Sequence, residues 1–122
     1  MDKVQINSIK SFRSDLYDDV DKCNELKRSY DFDSDFPKLM IITVKLKIIN
    51  DFLNIFNLII KKRCRLEGSD KLHCLDLMKR ITKRVKIHIA QLKKFSLQID
   101  LYETSEIYYY KLLKAVYKCI LC

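Results

Sequence analysis

Residues that form sharp turns are almost absent from this sequence, whose 122 residues include one glycine, Gly68, and one proline, Pro37. Glycine tolerates positive φ and proline fixes φ at the first position of a turn, so folds with many hairpins need both. Their scarcity argues against a multi-stranded β fold and favours a few long helices. Tryptophan is also absent, while isoleucine, lysine, asparagine and tyrosine are abundant. Such a composition is typical of AT-rich coding, as in a large DNA virus or a parasite.

A long uninterrupted apolar run is missing as well. The most apolar stretch, residues 39–60, contains two lysines, one aspartate and three asparagines, too many polar groups for a bilayer span. The N-terminus, MDKVQINSIKSF, has an acid at its second position and no apolar segment of the kind that a secretory signal contains. We therefore expect a cytoplasmic protein with no signal peptide and no transmembrane segment, and we do not expect a membrane to be its partner.

Apolar residues recur every three or four positions in four segments, the spacing of an amphipathic helix. The segments are residues 8–30, 42–60, 70–97 and 104–122. The second has two adjoining apolar rows and one polar face, and that face consists of Lys47, Asn50, Asp51, Asn54, Asn57 and Lys61. The sequence predicts an all-α fold in which residues 1–122 form a single-domain antiparallel helical bundle of about four helices.

Local signals predict where these helices begin and end. Asn7 or Ser8 is the expected cap of the first helix, whose apolar stripe includes Leu26. Gly68 is expected in the left-handed conformation that ends the second helix, with Ser69 as the cap of the third. No glycine or proline separates the third and fourth helices. We place a turn at residues 98–104, because one uninterrupted helix would extend for roughly 75 Å.

Carboxylates are missing from one part of the chain that is rich in cations. Residues 79–94, KRITKRVKIHIAQLKK, contain seven lysines or arginines and no acid. Residues 61–94 hold twelve basic and three acidic side chains, whereas residues 1–36 hold six and nine, so most of the net charge of +8 arises in the former. Solvated helical faces usually mix signs, because like charges one turn apart repel each other. This row of unopposed cations favours an anionic partner.

The sequence therefore predicts a partner-binding surface on the third helix and on the KKRCR segment before it. The predicted residues are Lys61, Lys62, Arg63, Arg65, Lys79, Arg80, Lys83, Arg84, Lys86, Lys93 and Lys94. An acidic protein is the preferred partner. A nucleic acid bound without sequence specificity is the alternative, although residues 79–94 contain no aromatic ring to stack on bases. In a third interpretation the cations form a solvated face, and some pair with the acids of the first helix.

No pattern typical of catalysis or of a cofactor site is present. Gly68 alone cannot form a phosphate-binding loop, and His88 lies among apolar positions, as a packed residue would. The cysteines have irregular spacing that matches no zinc motif, and we interpret them as buried free thiols. They are Cys23, Cys64, Cys74, Cys119 and Cys122. We expect a non-enzymatic protein with no cofactor and no metal, and a second contact surface at Tyr108, Tyr109 and Tyr110, of which at least one must face outward.

One resemblance to a known family supports a further alternative. The segment CRLEGSDKLH, residues 64–73, precedes a basic amphipathic helix and a final helix that ends in KCILC. This order resembles the last third of interleukin-10-type cytokines. The resemblance implies a secreted helical ligand, which would bind a receptor and contain oxidised cysteines.

Overall fold

Four helices make up most of the chain in the computed structural model, which describes residues 3–63, 66–94 and 99–121. They are α1 (Lys3–Ser29), α2 (Phe36–Lys62), α3 (Gly68–Lys94) and α4 (Ile99–Leu121). The predicted all-α class is confirmed. α1 begins closer to the N-terminus than predicted, so that Asn7 and Ser8 lie inside the helix and not at its cap.

Consecutive helices run antiparallel, as predicted. Phe12, near the start of α1, stacks on Phe56, near the end of α2, with 6.4 Å between the ring centroids. Lys62 at the end of α2 contacts Asp70 at the start of α3, with 3.5 Å between Nζ and Oδ2. The connections are too short to return the chain to the other end of the bundle before the next helix begins.

The second helix forms the centre of the bundle. α2 packs against α1, α3 and α4, whereas the described backbones of α1 and α3 do not pack directly against each other. Its buried apolar side chains belong to the two predicted rows, and they are Ile41, Ile42, Ile48, Ile49, Phe52, Leu53, Ile55, Phe56 and Ile59. Each large side chain of this kind contributes roughly 1.5–3 kcal/mol on burial, so α2 supplies much of the apolar core.

Two side chains lie elsewhere than their patterns predict. Leu26 is exposed, because a helix of 3.6 residues per turn carries it to the margin of the apolar stripe of α1. Asp51 was expected on the solvated face of α2, but only 4% of its surface is exposed. α3 packs over this side of α2 and provides Arg84 as the counter-charge.

The acidic connection between α1 and α2 turns without a glycine. The backbone N–H of Asp31 donates to the carboxylate of Asp35 at 2.9 Å, and the N–H of Asp35 donates to the carbonyl of Asp31 at 2.8 Å. The N–H of Asp33 donates to the carboxylate of Asp31 at 2.9 Å. Short acidic side chains thus take the place of backbone partners in this turn. Pro37 lies in the first turn of α2, as predicted.

The junction between α2 and α3 is formed by other residues than predicted. Arg63 has a φ of 52° in the left-handed region, and its N–H donates to the carbonyl of Ile59 at 2.9 Å. Arg63 is therefore the cap of α2. The prediction that Gly68 ends α2 is wrong, because Gly68 begins α3, although its φ of 59° is positive as expected. Ser69 accordingly lies inside α3.

The predicted break between the third and fourth helices is displaced. α4 begins at Ile99, so the predicted turn at residues 98–104 falls largely inside this helix, while residues 95–98 lie outside the described part of the chain. The sequence offers only a weak signal for this boundary, since neither glycine nor proline separates the two helices.

Replacing Arg63 with glycine should raise the free energy of unfolding by roughly 0.5–1 kcal/mol. A side chain in the left-handed region is strained, and glycine removes this strain while adding some entropy to the unfolded chain. Urea unfolding followed by helical circular dichroism measures the difference. Lys61→Gly, inside the last turn of α2, is the control and should lower stability instead. Equal losses in both variants would contradict the assigned cap.

Candidate partner-binding surface

Five lysines lie on the exposed side of α3, and we call them the basic face. They are Lys79, Lys83, Lys86, Lys93 and Lys94. Within the described part of the chain, Lys79, Lys83 and Lys86 form no ion pair or hydrogen bond. Lys79, Lys83 and Lys86 are each about one helical turn apart, so they repel one another. Asp76 lies one turn before Lys79 and Glu106 lines a hollow with Lys86 and Lys93, but neither carboxylate forms an ion pair with Lys79, Lys83 or Lys86.

The acids of α1 do not neutralise the basic face. Asp15, Asp18 and Asp19 border a hollow that also includes Lys22 and Tyr108, so this acidic group lies toward α4. Together with burial, Asp15 and Asp19 raise the pKa of Tyr108 to about 12. The backbones of α1 and α3 do not pack against each other within the described residues, and Asp15, Asp18 and Asp19 form no ion pair with α3.

Arg84 differs from the other predicted site residues because it is held inside the bundle. Its Nη1 donates to Oδ2 of Asp51 at 2.7 Å, and the carboxylate is almost fully buried while the guanidinium is partly exposed. This contact joins α2 to α3. Arg84 therefore has a structural partner, which the sequence did not reveal because Asp51 follows the polar pattern of α2.

The KKRCR segment lies at one end of the bundle, away from most of the basic face. Lys61, Lys62 and Arg63 are exposed, and Lys62 is paired with Asp70 in the first turn of α3. Arg65 lies outside the described residues. Lys86 is roughly 24 Å along the helix from Asp70. The predicted residues therefore form two groups.

An exposed isoleucine lies within the basic face. Ile87 has 52% of its surface exposed, and it is one helical turn from Lys83 and next to Lys86. Ala90, one turn beyond Lys86, is exposed too, so a short apolar strip runs between the lysines. Sequence analysis did not identify Ile87 as a contact residue. The sequence pattern could have indicated its exposure, because Ile87 falls outside the apolar rows of α3.

A cleft of about 400 Å³ opens where side chains of α1, α2 and α3 converge. Its lining includes Lys27, Lys47, Asn50, Asp51, Arg80 and Arg84, and we call it the basic cleft. Four of these residues are cations, and the single acid is the carboxylate already paired with Arg84. Sequence analysis missed Lys27 and Lys47, since residues from three helices meet here only in the folded chain.

Polar groups near the bundle centre are buried and unreactive. Only 2% of the His88 surface is exposed, and its Nδ1 has no hydrogen-bond partner among the described atoms. Burial, helped by Lys45, lowers the pKa of His88 to about 4. The Tyr109 ring packs edge-on against this imidazole at 5.9 Å and is buried, whereas Tyr110 is exposed, so the expectation of an outward-facing ring is confirmed.

The described cysteines belong to the core. Cys23, Cys74 and Cys119 are buried free thiols, as predicted, and burial raises the pKa of Cys74 to about 11. A neutral thiol is a poor nucleophile and a poor metal ligand. In the part of the chain that the structure describes, no three histidine, cysteine or acidic side chains form a group that could hold a metal ion. Cys64 and Cys122 lie outside that part.

Comparison with protein families, with curated proteins and with solved structures gave no match to this chain. Among the described residues, no helix combines the length and the apolar character that crossing a membrane requires.

Proposed function

We propose that this chain is a non-enzymatic interaction protein that binds an acidic protein through the basic face of α3. The partner would contribute carboxylates to the lysines and an apolar contact to the strip between them. Unopposed positive charge accelerates encounter with such a surface and selects against cationic competitors.

The exposure of Ile87 among lysines is the observation that supports a protein partner. Interfaces commonly place apolar anchors at the centre and charged residues at the rim, where water remains. Ile87 and Ala90 provide the apolar centre, and Lys83, Lys86 and Lys94 surround it. A phosphate group itself makes no apolar contact with such a centre.

Nucleic acid is the alternative that the same charges allow. Lysines that neutralise phosphates release counterions, so affinity for nucleic acid falls steeply as salt is raised. Residues 79–94 contain no aromatic ring on which a base could stack, although the exposed Tyr110 of α4 lines a hollow together with Lys86 and Lys93. The affinity for nucleic acid would depend on the number of lysines and would not change when Ile87 is replaced.

Replacing Ile87 with serine should weaken binding to an acidic protein by roughly tenfold, because a buried apolar anchor is worth about 1–2 kcal/mol. The probe is a synthetic acidic amphipathic helix with leucines on one face, titrated by fluorescence anisotropy. The double charge variant Lys83→Glu with Lys86→Glu should reduce affinity by more. Ile87 is exposed, so its replacement leaves the core intact.

A matched control comes from the exposed lysines of α4. Lys114→Glu with Lys118→Glu changes the net charge by the same amount at another site, and binding of the acidic helix should persist. Duplex DNA titrated in parallel identifies the alternative. If Ile87→Ser leaves peptide affinity unchanged while the lysine variants abolish DNA binding, the protein-partner proposal is wrong and the nucleic-acid function takes its place.

A further inference from the structure

We propose that the basic cleft binds a small ligand that carries several phosphate groups. The cleft lies beside the basic face and includes none of its five lysines. Its ligand is therefore different from the acidic protein proposed for the basic face, and an experiment can refute one of these two binding sites without refuting the other.

The unopposed charge of the cleft is the first support for this ligand. In the described structure, Lys27, Lys47 and Arg80 form no ion pair or hydrogen bond. The one lining acid, Asp51, is already bound to Arg84. Three cations thus surround one hollow without a counter-charge, and a multiply charged anion would relieve their mutual repulsion.

The fixed orientation of Arg84 is the second support. A guanidinium carries five N–H donors in a planar fork that matches phosphate geometry. The buried Asp51 carboxylate holds Nη1 at 2.7 Å, while part of the guanidinium remains exposed toward the cleft. This positioning precedes binding, so less side-chain entropy is lost when the ligand arrives.

The size and composition of the cleft indicate which part of a ligand is recognised. A hollow of about 400 Å³ lies in the range of small-molecule sites, and it exceeds the space that a single phosphate occupies. Its lining has no aromatic side chain, so it offers nothing to stack on a nucleobase. The ligand is expected to be held by its phosphates, whether these form a linear chain or surround a sugar-like ring.

Isothermal titration of the full chain with tripolyphosphate and with inositol hexakisphosphate tests the site and separates the two sources. We expect one ligand per chain for at least one probe, with orthophosphate binding far more weakly. Lys27→Gln with Lys47→Gln should weaken that binding by roughly tenfold or more, since each hydrogen bond to a charged group is strong. Both lysines are exposed and unpaired, so the variant should fold normally, which circular dichroism checks.

A second double variant controls for the net positive charge. Lys114→Gln with Lys118→Gln removes the same charge from α4, beside the opposite end of α1 from Lys27, and should change phosphate affinity by less than about twofold. Equal weakening in both variants, or no binding of either polyphosphate at low salt, would overturn the proposal. If Lys27→Gln with Lys47→Gln loses phosphate binding but binds the acidic helix as the original chain does, the result supports the cleft as a site separate from the basic face.

Discussion

Replacing Arg84 with methionine should lower the free energy of unfolding by roughly 3 kcal/mol. Removing one partner of a buried ion pair leaves the other charge without compensation, which costs about 3–5 kcal/mol when both groups are buried. Asp51 is almost fully buried, but the Arg84 side chain is partly exposed, so the lower end of this range applies. Urea unfolding of the single variant, followed by circular dichroism, gives the value directly.

Replacing Asp51 is expected to lower the free energy of unfolding by less than replacing Arg84 does. Asp51→Asn leaves a partly exposed guanidinium that water can solvate, so this change should cost less than Arg84→Met. The double variant Arg84→Met with Asp51→Leu should recover most of the lost stability, because an apolar pair avoids the desolvation of both charges. Failure to recover would contradict the assignment of the loss to an uncompensated Asp51 carboxylate.

An exposed neighbour provides the control for this series. Lys83→Met removes one positive charge from the adjacent position, where the side chain is exposed and unpaired. Its effect should stay within about 0.5 kcal/mol, as for most surface substitutions. A loss of stability as large as that of Arg84→Met would show that positive charge on this part of α3 stabilises the fold independently of the contact with Asp51.

Lowering the pH from about 6.5 to about 4 should remove roughly 3 kcal/mol of stability through His88 alone. Burial lowers the pKa of His88 from 6.5 to about 4 in the folded protein. Between these values the unfolded chain binds the proton and the folded chain does not, so stability falls as the pH falls. Each unit of pKa difference corresponds to about 1.4 kcal/mol.

The variant His88→Leu isolates this contribution from that of the carboxylates. Leucine fills much of the same space and does not titrate, so the difference between the two pH profiles belongs to His88. Lys45 on α2 acts in the same direction as burial. The neighbouring Tyr109 is neutral throughout this pH range, as any tyrosine is, and burial raises its pKa further. Parallel profiles for both proteins between pH 4 and 7 would contradict a buried neutral imidazole.

At neutral pH, His88→Leu should also be at least as stable as the original chain. Nδ1 lacks a hydrogen-bond partner among the described atoms, and a buried unsatisfied polar group costs about 1–3 kcal/mol. Leucine removes this cost. The two effects of the substitution therefore have the same sign, and the one that arises from protonation of the unfolded chain grows as the solution becomes more acidic.

The helical core could be predicted from the sequence to a large extent, because periodicity reports which face of a helix is apolar. Phe52, Phe56 and Ile59 occupy the predicted rows of α2 and are fully buried. The boundaries were less predictable. Arg63 caps α2 in a left-handed conformation that sequence patterns assign to glycine, and only the path of the chain between two packed helices places a different residue there.

For the candidate site, the sequence revealed charge but not geometry. The absence of acids between Leu77 and Ile99 was enough to predict an exposed row of lysines, and Lys79, Lys83 and Lys86 are exposed as expected. The apolar centre at Ile87 was missed, since a single apolar residue outside the main rows carries little signal by itself. Whether the lysines bind a partner stays a prediction for the titrations described above.

The sequence by itself determined that this protein consists of long amphipathic helices and that positive charge is concentrated in one of them. Both properties depend on residues close together in the chain. Only the tertiary structure decided that Asp51 is buried against Arg84 and that Lys27 and Lys47 share a cleft with Arg80. Such contacts join residues that are distant in sequence, and helix packing alone sets which of them meet.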